Sequence, residues 1–207
     1  MTKILITGFE PFGGADANPS AQLVRSLLGN AVAERGGSYA LRGAVLPVSY
    51  DGATAEFFAL LDAFDPDFIV SFGQGRPSHD EFTLERIALN LDDCPQPDNG
   101  GSIRRAQPIA PGGPLALQTT AAIGAAEEAL AQAGIAAGIS NHAGNYVCNH
   151  LYYRGLQRCA QPGGGSPQAM LFAHTPPGDL DADPERAARL AVGAGLIFAA
   201  LAAPIFH

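Results

Sequence analysis

The chain has 207 residues, and 47% of them are apolar, which is enough for one self-sufficient hydrophobic core. That apolar fraction excludes a disordered chain. The chain carries 12 basic and 20 acidic residues, for a formal net charge of −8, and it has no basic run. Because an acidic surface repels phosphate backbones, we expect no nucleic-acid partner.

Cysteine usage and the amino-terminal sequence predict a cytoplasmic protein. The three cysteines are an odd number, which does not suggest a disulfide framework. Residues 1–3 lead directly into an Ile-Leu-Ile run without the pattern of a signal peptide. Residues 190–206 are apolar, but they contain Pro204 and fall short of the roughly 20 residues that a membrane span needs. We interpret them as a buried helix, partly in a subunit interface, and expect no membrane partner.

Short apolar runs bounded by turn residues alternate with segments of helical composition. In chain order, the first half predicts a strand at residues 4–7, a helix that begins at Asn18 and Pro19 and is ended by Gly29, a strand at residues 41–48, a helix at residues 53–64 and a strand at residues 68–72. Asn18 is a typical N-cap residue, and proline is favoured at the first helical position. The strand at 68–72 is apolar throughout, as in strands buried on both faces of a parallel sheet.

The second half continues the alternation. It predicts a strand at residues 82–91, an irregular insert with four prolines at 92–113, a helix at 115–133 closed by Gly134, a strand at 135–140, a helix at 146–159, a flexible glycine connection at 163–165, a strand at 169–173 and a final helix capped by Asp183. Strands that alternate with helices imply right-handed βαβ units. The predicted fold class is therefore α/β: a single domain over residues 1–207, with a mostly parallel twisted sheet and helices on both faces.

Reactive residues follow the predicted strands, and in an open α/β sheet ligands bind at the carboxyl ends of the strands. One loop follows the first strand, a second leads from Phe72 to Glu85, and a third joins Ser140 to the helix that contains Cys148. His174 lies just past the last predicted strand. We expect the functional site where these loops meet.

Cys148 is the most informative of these residues. Gly144 allows a tight turn into the helix, so the thiol lies in the first helical turn, where the helix dipole and unpaired N–H groups favour the thiolate. The same N–H groups can receive an oxyanion, and His174 can take up the thiol proton and return it to a leaving amine. The alternative is a free cysteine that simply packs in the core. Cys94 and Cys159 have no histidine placed to activate them.

The histidines leave a metal site as an alternative. His142, Cys148, His150 and His174 could be its ligands, but a Cys-x-His spacing is poor for zinc and no second ligand pair supports it. His79 in a polar loop and the terminal His207 are expected to be solvated. We therefore expect no metal.

The glycine-rich loop at residues 8–14 does not match a nucleotide-binding motif. It contains neither Gly-x-Gly-x-x-Gly nor a P-loop sequence, and Glu10 would repel a phosphate. Phe9 and Phe12 suit a small, flat, uncharged group held between aromatic rings. The alternative is that both rings pack back on the core.

Four sequence blocks, in this order, resemble the pyroglutamyl peptidase I family, also called pyrrolidone carboxyl peptidase. They are GFEPFGG at residues 8–14 with NPS at 18–20, GQ at 73–74 with FTLERIALN at 82–90, AGNYVCNH at 143–150, and FAHTP at 172–176. Together they extend over most of the chain, and only the set of four is specific.

The resemblance implies a cysteine peptidase that removes an amino-terminal pyroglutamate (5-oxoproline) from peptides. It assigns Cys148 as the nucleophile, His174 as the general base and then acid, and Glu85 as the group that orients His174. A lactam pocket fits this substrate, because pyroglutamate has no free amine for an aminopeptidase to anchor. An analogue without the lactam amide would leave buried partners unpaired.

The resemblance also implies the pocket and the assembly. Phe9 and Phe12 would form walls around the lactam ring, Tyr146 would line the same pocket, and Gln74 would supply a backbone contact. Family members need no metal or organic cofactor, are cytosolic and are usually homotetramers. The expected partners are therefore peptides that begin with pyroglutamate and further copies of this chain.

Two segments depart from the family pattern. Where the family has Gly-Gln-Ala-Gly-Gly-Arg, this chain has GQGRPS at residues 73–78, with one residue more before Glu85. A family arginine thought to assist the oxyanion falls on Pro95, and the loss of one oxyanion donor costs on the order of 10²–10³ in rate. Arg76, Arg104 and Arg105 are the candidates to replace it.

Two alternative functions follow from these departures. One is a hydrolase of another small cyclic amide, which would show a displaced substrate preference. The other is a binding protein that keeps the fold and holds pyroglutamyl peptides without cutting them.

Overall fold

The computed structural model describes residues 1–33, 39–161 and 167–203. The predicted flexible connection at residues 163–165 and the predicted solvated His207 lie outside these described residues. The strands are β1 (Thr2–Phe9), β2 (Tyr39–Leu46), β3 (Phe68–Gln74), β4 (Phe82–Glu85), β5 (Ile87–Leu89), β6 (Asp92–Cys94), β7 (Arg104–Gln107), β8 (Ala116–Gln118), β9 (Ala137–Ser140) and β10 (Ala169–Thr175). The helices are α1 (Pro19–Ala33), α2 (Tyr50–Phe64), α3 (Ile123–Gln132), α4 (Val147–Cys159) and α5 (Pro184–Ala202).

Six strands form the central sheet in the order β2-β1-β3-β10-β4-β9. Strands β2, β1, β3 and β10 are mutually parallel, whereas β4 pairs with β10 in the antiparallel sense and β9 runs parallel to β4. Helices cover both faces, α1, α3 and α5 on one and α2 and α4 on the other. This confirms the predicted α/β class with a mostly parallel sheet.

The two-residue side-chain period of the strands decides which residues face α4. On β10, Leu171 packs in the core formed with α1, α3 and α5, and Phe172 packs in the core formed with α2 and α4. His174, two residues after Phe172, therefore faces α4. On β4, Leu84 belongs to the α1, α3 and α5 side, so Glu85 faces α4 as well.

The antiparallel direction of β4 and β9 corrects the expected placement of the site. Glu85 is in register with Phe172 of β10 and with Ser140 of β9. The carboxyl end of β9 therefore does not lie at the same edge as the carboxyl ends of β3 and β10. The site forms on the α4 face of the sheet, beside that edge, because α4 brings its first turn towards His174.

Four predicted segments differ from the observed elements. Gly29 does not end the first helix, which continues to Ala33, because Gly29 keeps a helical backbone. The predicted strand at 82–91 is two strands in different sheets, and the insert at 92–113 contains a β6–β7 hairpin. The predicted helix at 115–133 begins only at Ile123, because β8 pairs with β5 and the Thr119 hydroxyl donates to the Met170 carbonyl. Long-range pairing here overrides an alanine-rich local preference for helix.

The last helix begins with a side-chain cap. Asp183 accepts from the Arg186 N–H at 3.0 Å, which confirms the predicted cap of the last helix. That helix buries Ile197 and Phe198 in the core, as predicted for a buried helix.

Among the described residues, no helix combines the length and apolarity that a membrane crossing requires.

Candidate active site

The structure brings Glu85 and His174 into direct contact. A Glu85 carboxylate oxygen lies 2.7 Å from Nδ1 of His174, with the carboxylate 4% and the imidazole 13% exposed. Glu85 is fixed further by its backbone, whose carbonyl accepts from the Tyr152 hydroxyl at 2.8 Å. Because Nδ1 is engaged by the carboxylate, Nε2 is the ring nitrogen left for a second partner.

Cys148 lines the same cleft and acts on the same imidazole. Burial alone lowers the pKa of the His174 imidazole, but hydrogen bonding and charge from Cys148 and Glu85 outweigh it and raise the pKa to about 9. The imidazole is therefore positively charged at neutral pH. The three predicted catalytic side chains thus form one cluster, in the order Glu85, His174, Cys148.

The first turn of α4 holds Cys148. Gly144 adopts φ = +83°, a left-handed conformation that favours glycine, and turns the chain from β9 into the helix. Tyr146 is the N-cap residue, and among the described residues its side chain makes no capping hydrogen bond. The first backbone N–H groups of the helix, next to the half-buried sulfur, therefore receive neither an intrahelical partner nor a side-chain cap from Tyr146.

A cleft of about 540 Å³ opens in front of these groups. Of the predicted pocket residues, Phe12, Gln74 and Tyr146 line it together with the three catalytic candidates. The rings of Phe12 and Tyr146 lie 6.2 Å apart at 44°. The two rings contact each other and form one apolar surface beside the thiol and the imidazole, which suits a small flat group attached to a carbonyl.

Phe9 lies elsewhere. It is 2% exposed, its ring packs 6.4 Å from that of Phe172, and it is not among the described residues that line the cleft. Its backbone N–H donates to the Ser20 hydroxyl at 3.0 Å. The aromatic pair predicted from residues 8–14 is thus divided: Phe12 lines the cleft, whereas Phe9 packs back on the core.

Tyr146 is held as a neutral wall of the cleft. Its hydroxyl donates to the Pro97 carbonyl at 2.9 Å, and its ring makes an edge contact with Tyr50 at 5.7 Å. Burial, together with the negative charge available to Cys94, Asp98 and Cys148, raises the pKa of the phenol to about 12.

Sequence reasoning missed the residues that fix the loop before Cys148. Asn145 donates to the Asp93 carbonyl at 2.6 Å, and its own carbonyl accepts from the Asp93 N–H at 3.0 Å. The fully buried Asn149 side chain accepts from the Leu89 N–H and donates to the carbonyls of Leu89 and Leu91. Asparagines on both sides of a candidate nucleophile were the available signal, because a buried amide needs several partners.

The three arginines considered as replacements at the Pro95 position have different surroundings. Arg104 is committed to Asp92 at 3.0 Å and to Asp51 at 2.7 Å, and Arg105 to Asp93 at 2.7 Å. Arg76 lines the cleft and makes no hydrogen bond or ion pair to any described residue.

The other histidines and cysteines do not belong to the cluster of Glu85, His174 and Cys148, although His142 also lines the cleft. His150 is paired with Asp92 at 2.8 Å, and His142 accepts from the Gly144 N–H. Within the described parts of the chain, no three His, Cys, Asp or Glu side chains are grouped as metal ligands. Burial raises the pKa of the Cys159 thiol to about 12, which leaves it unreactive.

Comparison with known proteins gives a consistent result. A family model described as pyroglutamyl peptidase matches residues 2–180. The pyrrolidone-carboxylate peptidase of Chromobacterium violaceum is 38% identical to this chain over 178 residues, which cover 85% of this chain and 78% of that protein. The pyrrolidone-carboxylate peptidase of Pyrococcus furiosus is 37% identical over 174 residues, which cover 84% of this chain and 80% of that protein. The crystal structure of Bacillus amyloliquefaciens pyroglutamyl peptidase I superposes with a TM-score of 0.87 at 29% identity, covering 99% of this chain and 98% of that one. The crystal structure of the pyrrolidone carboxyl peptidase of Fervidobacterium islandicum superposes with a TM-score of 0.84 at 33% identity. The match covers 96% of this chain and 97% of that one.

Proposed function

The chain belongs to the pyroglutamyl peptidase family, and from this premise we propose that it hydrolyses the bond after an amino-terminal pyroglutamate residue of peptides. The observation that carries the proposal is the imidazole of His174 held between Glu85 and Cys148 at the end of an aromatic cleft. A thiol, an imidazole and an orienting carboxylate are the groups that thiol acyl transfer requires.

In the first step the Cys148 sulfur attacks the carbonyl carbon of the pyroglutamyl residue. His174, with a pKa of about 9, is an imidazolium at neutral pH and stabilises the thiolate next to it. The oxyanion that forms is received by backbone N–H groups in the first turn of α4, whose positive helix end also favours negative charge.

In the second step the carbon–nitrogen bond breaks, and His174 donates its proton to the leaving amine. A thioester between pyroglutamate and Cys148 remains. The now neutral imidazole takes a proton from water, which attacks the thioester, and pyroglutamic acid leaves while thiolate and imidazolium are restored. Glu85 keeps the ring oriented through Nδ1 in both steps.

In this proposal the lactam ring packs against the aromatic surface formed by Phe12 and Tyr146. This surface is uncharged, and the raised pKa of Tyr146, about 12, keeps its hydroxyl neutral. Gln74 and neighbouring backbone groups lie within the same cleft and supply polar partners for the lactam amide. A free amino terminus would place an ammonium ion against this surface without a carboxylate partner, which favours a blocked residue.

Substitution of Cys148 tests the proposal. We expect Cys148→Ala to abolish release of a fluorophore from a pyroglutamyl amide, and Cys148→Ser to reduce it by at least 10³-fold, on the order seen when a catalytic nucleophile is removed. The matched control is Cys159→Ala at the other end of the same helix, which should retain nearly full activity. Equal losses from the two cysteines would contradict a catalytic role, and faster cleavage of prolyl or glutaminyl amides would contradict the lactam pocket.

Location and assembly are part of the same proposal. The three cysteines, Cys94, Cys148 and Cys159, are all unpaired, which supports a reducing compartment such as the cytoplasm. We also propose that copies of the chain associate into a homotetramer, as the family resemblance implies, with the largely apolar α5, where Val192 is 57% exposed, in a subunit interface.

A further inference from the structure

The wall of the cleft beyond His174 is built from the segment in which this chain departs from its family. Gly75 donates its backbone N–H to the Thr175 carbonyl at 2.9 Å, and a Cβ atom at Gly75 would lie 2.9 Å from Cβ of His174. The segment that continues through Arg76 therefore packs directly against the side of the imidazole. Pro176 of the His174 loop lines the cleft beside it.

The reaction places the leaving peptide on this side. The leaving amine takes its proton from His174, so the first atoms after the scissile bond lie next to the imidazole. Phe12 and Tyr146 hold the lactam at the other end of the cleft. The residue that follows pyroglutamate in the substrate therefore extends towards the wall that carries Arg76.

Arg76 is the exposed charge on that wall. Apart from histidines, the described residues that line the cleft include two charged side chains, Arg76 and Glu85. Glu85 is 4% exposed and is paired with His174, whereas Arg76 is exposed and has no partner among the described residues. An unpaired guanidinium is a ready partner for a carboxylate, which it can bind through two N–H groups.

We infer that Arg76 forms a subsite for a carboxylate on the leaving side of the substrate, so that peptides with negative charge just after pyroglutamate are preferred. The inference rests on the proposed function and adds to it the class of the second residue. The carboxylate has two possible sources, an acidic side chain at that position or the free carboxyl terminus of a pyroglutamyl dipeptide.

Four substrates test the inference: pyroglutamyl-Asp-amide, pyroglutamyl-Ala-amide, pyroglutamyl-Lys-amide and pyroglutamyl-Ala with a free carboxylate. Release of pyroglutamate is followed by chromatography at low ionic strength, and kcat/KM is compared. For the unsubstituted protein we expect the Asp substrate to exceed the Lys substrate by about threefold to tenfold, the range of an exposed ion pair and its repulsive counterpart. In Arg76→Glu the order should reverse, and in Arg76→Lys it should be kept. Added salt should reduce the ratio.

The matched control is Arg25→Glu, which makes the same change of charge. Arg25 is exposed on α1, which covers the opposite face of the sheet. For Arg25→Glu we expect the ratio of kcat/KM for the Asp and Lys substrates to equal that of the unsubstituted protein.

The outcomes separate the two proposals. If all four substrates are cleaved and Arg76→Glu leaves the ratio of kcat/KM for the Asp and Lys substrates unchanged, the proposed subsite is wrong and the proposed peptidase activity stands. Failure to cleave any of them would overturn the peptidase, and the subsite with it. Preference for the free acid over pyroglutamyl-Ala-amide, lost in Arg76→Glu, would identify the dipeptide terminus as the carboxylate source.

Discussion

At the scale of single residues, the chemistry depends on how two buried neighbours act on one imidazole. Desolvation alone would make His174 a weaker base than a free histidine, but Glu85 and Cys148 reverse the effect and raise its pKa to about 9. The short contact between Glu85 and Nδ1 also fixes the ring orientation. The same carboxylate thus fixes the direction of the group that we propose as the proton donor and, together with Cys148, favours its charged form.

Removal of the Glu85 charge tests this account. For Glu85→Gln we expect kcat/KM on a pyroglutamyl amide to fall by about 10²–10⁴-fold, as when the acid of a comparable triad is neutralised. Because the carboxylate stabilises the imidazolium, its loss lowers the pKa of His174. The alkaline limb of the residual pH profile should therefore move below 9. A residual profile with an unmoved alkaline limb would show that Glu85 does not set the protonation of His174.

At the scale of elements, the loop that carries Phe12 depends on close packing between β1 and α1. Gly8, the residue before Phe9, lies against the backbone carbonyl of Ser20, and a Cβ atom there would collide with that carbonyl oxygen and carbon. Asn18 and Ser20 extend the same junction through hydrogen bonds to Glu10 and Phe9. Because the obstacle is backbone, rotation of a side chain cannot relieve it.

Gly8→Ala should therefore destabilise the fold by about 1–3 kcal/mol, the usual cost of overpacking, measured as the free energy of unfolding in urea. The matched control is Gly195→Ala in α5, where a Cβ atom meets nothing within 4 Å. Alanine favours a helix over glycine, so this variant should be more stable by up to about 1 kcal/mol. Equal effects of the two substitutions would contradict the tight junction at Gly8.

At the scale of the whole molecule, the shifted histidine couples the stability of the fold to pH. The pKa of His174 rises from 6.5 in the unfolded chain to about 9 in the folded protein, so the folded state binds the proton more tightly. The resulting stabilisation is fully present below pH 6.5 and is lost as the pH rises to 9.

Comparison with His174→Gln isolates this contribution. The free energy of unfolding of the unsubstituted protein minus that of His174→Gln should be largest below pH 6.5 and should decrease steadily up to pH 9. Titrating groups that do not interact with His174 are common to both proteins and largely cancel, so that the difference reports His174 together with its partners Glu85 and Cys148. A difference that is constant with pH would mean that the histidine has no raised pKa in the fold.

The amino-acid sequence by itself determined the features that depend on near neighbours along the chain. Apolar runs marked the strands of the central sheet, and the turn at Gly144 placed Cys148 at the start of a helix. The order of the four family blocks was likewise readable without a structure. These features follow from the local conformational preferences of a few consecutive residues.

The tertiary structure decided what depends on pairing between distant segments. It set β4 antiparallel to its neighbour β10, so that Glu85 on one strand contacts His174 on the other. It also placed Phe9 in the core and Phe12 at the cleft. It also engaged Arg104 and Arg105 with carboxylates and left Arg76 in the cleft. Strand direction, register and ion pairing are chosen by the total free energy of long-range contacts, to which local sequence preference contributes only a small part.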